Sequence, residues 1–127
     1  MKTLKVRWQR LVHNDETCPR CRQTEVELEE AISSLREALA PLGIDVSLEK
    51  EGITMAEFES DPLKSNRILI NDVPLEEWLG ARAGSSPCCD VCGPSECRTI
   101  EMDGETFEVI PRSLIYEAGL VCALKLL

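Results

Sequence analysis

Thr17-Cys18-Pro19-Arg20-Cys21 heads the run whose reading decides the fold. Beyond Cys21, the apolar residues Leu28, Ile32, Leu35, Leu39 and Leu42 recur at intervals of four, three, four and three, the stripe of a helix with one buried face. Two cysteines separated by two residues therefore sit at the start of a long helix. With Cys18 at the cap, Pro19 takes the first helical position, where a missing N–H costs nothing. The N–H groups of Arg20 and Cys21 are then orphan donors that can face the Cys18 sulfur. The helix dipole and the Arg20 guanidinium also favour thiolate over thiol, while Asp15 and Glu16 oppose them. On balance the spacing predicts Cys18 as a nucleophile of lowered pKa and Cys21 as the thiol that resolves.

Upstream, Lys2 to Val12 alternates, with Leu4, Val6 and Trp8 on one side and Lys5, Arg7 and Gln9 on the other, which predicts a strand with one wetter face. His13 to Glu16 is a polar loop, and Pro41-Leu42-Gly43 ends the helix. Glu25, Glu27, Glu29 and Glu30 suit the early part of that helix and read as a solvated face. Ile44 to Leu48 alternates again, so strand, helix and strand form a βαβ unit, whose two strands are parallel. Thr54-Met55-Ala56-Glu57 is a capping box opening a short helix that Asp61-Pro62 ends. Ile68-Leu69-Ile70 is a continuous apolar run, as in a central buried strand. Asn71-Asp72 turns the chain, and Pro74 to Leu79 forms a short helix stopped by Gly80.

From Ala81 to Pro87 the residues become small, and Cys88-Cys89-Asp90-Val91-Cys92-Gly93-Pro94-Ser95-Glu96-Cys97 follows; the glycines, serines and prolines predict a loop over 81–97. Asp103-Gly104, flanked by Thr99–Met102 and Thr106–Val109, predicts a hairpin with a tight turn. Pro111 opens a last helix whose apolar positions include Leu114, Ala118, Val121 and Cys122. Residues 1–127 read as one domain, with 81–97 a Cys-rich loop insertion, and the chain is long enough for a core without disulfide staples.

Composition narrows the chemistry. Fourteen basic against twenty-three acidic residues leave a net charge of −9, which argues against nucleic acid or an anionic membrane as partner. The first residues carry charges too often for a signal peptide, and no apolar run is long enough to span a bilayer, so a cytoplasmic location is expected. Seven cysteines in a reducing compartment point to redox chemistry or metal binding, not to a disulfide framework.

The order of elements, with CxxC at the head of the first helix, resembles the thioredoxin-like fold: an α/β architecture with a central mixed sheet flanked by helices, here carrying a Cys-rich loop before a C-terminal hairpin and helix. Through Cys18-Pro-Arg-Cys21, Ile68-Leu-Ile-Asn71 and Cys88-Cys-Asp-Val-Cys92-Gly, the chain also resembles a prokaryotic thioredoxin-like family known as a domain of unknown function. The resemblance implies a thiol–disulfide oxidoreductase working through Cys18 and Cys21 on a protein or small-molecule disulfide, with no cofactor required. One position departs from the pattern. Where thioredoxins carry a cis-proline before the third strand, Ser65-Asn66-Arg67 stands here.

The second cluster admits other readings. Cys89-Asp-Val-Cys92-Gly has the form of a zinc knuckle, and Cys88 and Cys97 could complete a tetrahedral four-sulfur site for Zn²⁺. Cys89 and Cys92 could instead join Cys18 and Cys21, or the segment could exchange disulfides with Cys18 as a relay. Clustered thiolates also suit softer cations or arsenite, so a metal or metalloid ion is the alternative partner. His13 reads as a solvated loop residue, Cys122 as core, and Trp8 and Trp78 as packing that can border the thiols.

Overall fold

The structure is a computed structural model that describes residues 2–12, 19–87 and 96–127; for Pro19, Arg20, Pro62, Pro87, Glu96 and Cys97 it describes the backbone alone. Strand β1 (Lys2–Leu11) is followed by helix α1 (Pro19–Leu39), a 3-10 turn (Ala40–Leu42) and strand β2 (Ile44–Ile53). β1 and β2 pair in parallel from Lys2↔Ile44 to Leu11↔Ile53, the arrangement the βαβ pattern requires. Helix α2 (Met55–Ser60) and a 3-10 turn (Pro62–Lys64) lead to strand β3 (Arg67–Ile70), which runs antiparallel to β1 with Val6 opposite Ile70. Strand β4 (Val73–Pro74) returns along β3, so the mixed sheet has the order β2-β1-β3-β4.

The register sorts the side chains. Leu4, Val6 and Trp8 share a face with Ile44, Val46, Ile68 and Ile70, and all are buried. Lys50, on the same face of β2, bonds Glu25 and Glu29 of α1, which lays that helix over the sheet. The opposite face carries a network in which Arg7 bonds Glu51 and Asp72, Gln9 donates to Glu51, and Arg67 donates to Gln9. Thr54 caps α2 as a capping box with Glu57, and Phe58 of that helix is buried with Leu11 and Ile53. Asn71 and Asp72 both have positive φ, 49° and 66°, as the tight β3–β4 turn demands.

Helix α3 (Leu75–Leu79) ends at Gly80 in the left-handed conformation. Strands β5 (Arg82–Pro87), β6 (Glu96–Met102) and β7 (Glu105–Phe107) then form a second, antiparallel sheet, and Asp103-Gly104 makes its β6–β7 turn. Helix α4 (Arg112–Leu126) closes the chain against α1. Its glycine, Gly119, leaves room for Leu35: a Cβ there would lie 2.6 Å from Leu35 Cδ1.

Three expectations change. Residues 82–87 are a strand, not loop; the smallness of this stretch reflects close cover, because a Cβ on Gly84 would lie 2.8 Å from both Thr99 Oγ1 and Glu101 Oε1 of β6. Leu42 is half exposed, since the switch from α to 3-10 winding after Leu39 rotates it off the buried stripe. Glu25, Glu27 and Glu29 are engaged rather than merely solvated, by Lys50 and by Arg112. Among the described residues, no helix is long and apolar enough to cross a membrane.

Candidate functional site

Cys21 lies in the first turn of α1, and the helix begins at Pro19, the residue whose missing N–H suits that place. No acidic residue stands in this turn to offset the positive end of the dipole. The apolar stripe that buries α1 extends back to Cys21, which has no exposed surface. Its Sγ lies 3.8 Å from the hydroxyl of Ser65, a residue equally buried. That hydroxyl accepts the N–H of Leu11 at 3.2 Å, so the end of β1 and the start of β3 meet at the sulfur.

The neighbouring residues are fixed in the same manner. Asn66 has φ 62°, a conformation asparagine tolerates better than most side chains. Its Oδ1 accepts from the Trp8 indole at 3.2 Å, and its Nδ2 donates to the Glu108 carbonyl at 3.2 Å. Thr24, one turn along α1 from Cys21, accepts the N–H of Ile110 at 3.2 Å. Two segments thus hold the first turns of α1 directly, the Ser65 turn at Cys21 and the Ile110 backbone at Thr24, and the Ser65–Asn66 turn is itself tied to Leu11, Trp8 and Glu108. Trp8 packs in the core and donates its indole N–H to Asn66.

The stem of the second cysteine cluster comes to the same end of the molecule. In β6 the backbone of Cys97 pairs with Ser86. Next to it, Arg98 donates to the Leu63 carbonyl at 2.9 Å, two residues before Ser65, and forms an ion pair with Glu76 of α3. Both partners of that pair are buried. Burial pulls the Arg98 guanidinium down to about 10, the Arg67 charge acts in the same direction, and Asp61 opposes them. Glu76 Oε2, Arg98 Nε and Thr99 Oγ1 have no hydrogen-bond partner among the described residues.

A groove of about 510 Å³ runs beside the first turns of α1, lined by Arg22, Gln23, Val26, Glu27 and Val109. Val26 is 55% exposed in it, on the side of the helix away from the buried stripe. Glu27 accepts both the main-chain N–H and the guanidinium of Arg112 at the head of α4, and these bonds hold its carboxyl below the usual range.

Of the residues singled out in the sequence, Cys21 falls at the centre of this arrangement. Cys18, His13, Cys88, Cys89 and Cys92 lie outside the described residues, and Cys97 is described in its backbone alone. Cys122 is a buried core thiol; burial pushes it up, against the pull of Lys125. Sequence reasoning missed Thr24, Arg98 and Glu76, and it registered Ser65 and Asn66 only as the place where a proline was absent. A polar pair directly before an apolar strand was the available signal.

Comparison with known proteins places residues 4–119 in the family described as Domain of unknown function (DUF2703), and the chain belongs to it. It is 45% identical over 112 residues to an uncharacterized protein of Archaeoglobus fulgidus, an alignment covering 88% of this chain and 82% of that protein. No solved structure matches.

Proposed function

We propose that the protein is a thioredoxin-like thiol–disulfide oxidoreductase of the cytoplasm, in which Cys18 attacks a disulfide and Cys21 resolves the mixed disulfide. The observation that carries the reading is Cys21: a thiol in the first turn of a long helix, within reach of the Ser65 hydroxyl at the entry to β3. The sheet order β2-β1-β3-β4, with β1 and β2 parallel and the other pairs antiparallel, supports the thioredoxin-like architecture. The helix end supplies orphan N–H groups and a positive dipole, both of which favour a thiolate there. Exchange then balances without a cofactor. The Cys18 thiolate forms a bond to one substrate sulfur, and the electron pair of the broken S–S bond leaves on the other. Attack by Cys21 on Cys18 releases the second substrate thiol and leaves Cys18–Cys21 oxidised. The groove along Arg22, Val26 and Val109 offers a seat for groups flanking the substrate disulfide.

The trapping experiment decides it. A Cys21→Ser variant, incubated with oxidised glutathione, accumulates a mixed disulfide at Cys18, located by peptide mapping; the wild-type chain under the same conditions yields the Cys18–Cys21 disulfide. If neither species forms, the reading fails.

A second reading is favoured by one observation, the tie from the stem of the Cys88–Cys97 segment to Leu63 beside the Ser65 turn. Cys88, Cys89, Cys92 and Cys97 would then bind a metal or metalloid ion, with Zn²⁺ the first choice for four thiolates. Anaerobic purification with metal analysis and a thiol count on one sample separates the two readings. Seven free thiols without metal support exchange, whereas one metal with three free thiols supports the thiolate site.

A further inference from the structure

Resting on the exchange reading, we infer that Ser65 is a positioning residue for the resolving step, holding the Cys21 sulfur and serving it in both protonation states. Cys21 has no exposed surface, so water cannot solvate an anion that forms on it. Burial by itself disfavours that anion. The Ser65 hydroxyl, 3.8 Å from the sulfur, is placed to offset that cost. A hydroxyl carries one proton and two lone pairs. One lone pair is committed to the N–H of Leu11 at 3.2 Å, which anchors the oxygen to the end of β1. The hydroxyl proton and the other lone pair are left for the sulfur. The oxygen accepts from Cys21 when it is a thiol and donates to it as the thiolate develops, with only a rotation about the Cβ–Oγ bond.

The step it serves is balanced within the mixed disulfide. Cys21 Sγ forms a bond to Cys18 Sγ, the bond from Cys18 to the substrate sulfur breaks, and its electron pair departs on the substrate thiolate. The proton lost by Cys21 ends on that leaving thiolate. Both protein sulfurs finish oxidised and the substrate disulfide is reduced to two thiols. Ser65 is neither consumed nor bonded to substrate. The fold supplies the rest of its placement: Asn66, next in the chain, is pinned by Trp8 and by the Glu108 carbonyl, which fixes the turn that presents Ser65.

The test uses the full chain, reduced and mixed with oxidised glutathione, then acid-quenched and mapped for Cys18 in its mixed and intramolecular disulfides. Ser65→Ala is expected to form the Cys18–glutathione disulfide at the wild-type rate and to resolve it roughly tenfold more slowly, the loss of one hydrogen bond to a charged group. The pH at which resolution reaches half its maximal rate is expected to rise in Ser65→Ala, a change that loosened packing alone would not produce. Ser65→Thr, which keeps the hydroxyl, is expected to restore both. Unchanged urea midpoints and an unchanged first step separate this effect from misfolding; should Ser65→Ala fail to fold, Ser65→Thr and Ser65→Gly carry the same comparison. Resolution within twofold of wild type and an unmoved pH profile in Ser65→Ala overturn the inference alone. A wild-type chain that never forms the Cys18–Cys21 disulfide overturns the exchange reading and the inference with it.

Discussion

Replacing Arg98 by methionine tests whether the second sheet is locked to α3 and the Pro62–Lys64 turn through a buried charge. Arg98 and Glu76 are 8% and 4% exposed, and the guanidinium also donates to the Leu63 carbonyl. Arg98→Met keeps an unbranched apolar stem but strands a buried carboxylate, a loss of about 3–5 kcal/mol. Against a domain stability of about 5–15 kcal/mol, that is a fifth or more of the total. Glu76→Leu strands the guanidinium in the same way, although Leu63 still accepts from it, so the expected loss is nearer the lower bound. The double variant removes both charges together. Because burying this pair already costs desolvation, the double variant is expected within about 2 kcal/mol of wild type. The cycle therefore returns a coupling of roughly 3 kcal/mol or more, far from additivity. Urea unfolding followed by Trp8 and Trp78 fluorescence measures all four proteins. The alkaline limb adds a second reading. The folded value of Arg98 lies near 10, below the ordinary guanidinium range, so from there up to that range the unfolded chain holds more protons. Stability contributed through Arg98 therefore rises with pH across that window, and the difference between wild type and Arg98→Met should shift accordingly. Single variants that each cost less than about 1 kcal/mol, or losses that simply add, would refute the reasoning.

Gly119→Ala is expected to change sign with its background. With Leu35 present, the new methyl meets Cδ1 at 2.6 Å and Cδ2 at 2.8 Å, and overpacking of about 1–3 kcal/mol exceeds or cancels the helix-propensity gain. In Leu35→Ala the same methyl fills vacated space and stabilises by about 1–2 kcal/mol in urea titrations. Asn66→Ala removes the acceptor of the Trp8 indole and a donor to the Glu108 carbonyl and places a β-carbon residue at φ 62°; a loss of about 3 kcal/mol is expected by thermal denaturation, and Asn66→Gly, free of the backbone penalty, should lose less. Glu27 has its carboxyl lowered by Arg112, so the stability it contributes is present above the ordinary carboxylate range and is lost as pH falls through the lowered folded value. Glu27→Gln is expected to flatten the acid limb of a stability–pH curve, and a limb unchanged from wild type would count against the pair.

The parts of the fold that the sequence displayed are those settled by near neighbours. The stripe from Cys21 to Leu39 is periodic, so α1 could be read directly, and the 3-10 turn that follows it stops at Gly43, where φ is a left-handed 72°. Thr54 and Glu57 cap α2 across three residues, and Asp103-Gly104 sets a turn by its own backbone preferences. The hidden parts depend on partners distant in the chain. β5 is a strand because β6 lies against it; nothing in Arg-Ala-Gly-Ser-Ser-Pro has strand propensity. β2 continues beyond the alternating Ile44–Leu48 to Ile53 through the polar run Glu49-Lys50-Glu51, where Lys50 meets Glu25 and Glu29 on one face and Arg7 meets Glu51 on the other. The site divides along the same line. Cys21 was visible because of its spacing from Cys18, while Ser65 stands 44 residues away and Asn66 meets Trp8 across 58. A buried hydroxyl and a buried amide look like loop residues in any local window, and only the closing of the sheet gives them their partners.

Burial also fixes the division of labour that exchange chemistry would need. A sulfur with no exposed surface cannot approach a disulfide held on another molecule, so Cys21 is excluded from the attacking role while the first turn of α1 stays packed. The sulfur it can reach must be carried to it on this chain, and Cys18, three residues earlier in the sequence, is the candidate the sequence provides. Such an arrangement has a kinetic consequence. Resolution depends on groups already in place around Cys21, namely the Ser65 hydroxyl, the Leu11 N–H behind it and the turn that Asn66 holds. Its rate should therefore be nearly independent of which substrate thiol is bound, except through that thiol's own acidity, whereas the first attack should vary with the substrate's fit beside Arg22 and Val26. Mixed disulfides of glutathione and of a longer peptide, matched in thiol pKa, are expected to form at different rates and to resolve at the same one. Resolution that tracks substrate size would mean that Cys21 leaves its packed position to react, and the assignment built on its burial would fall.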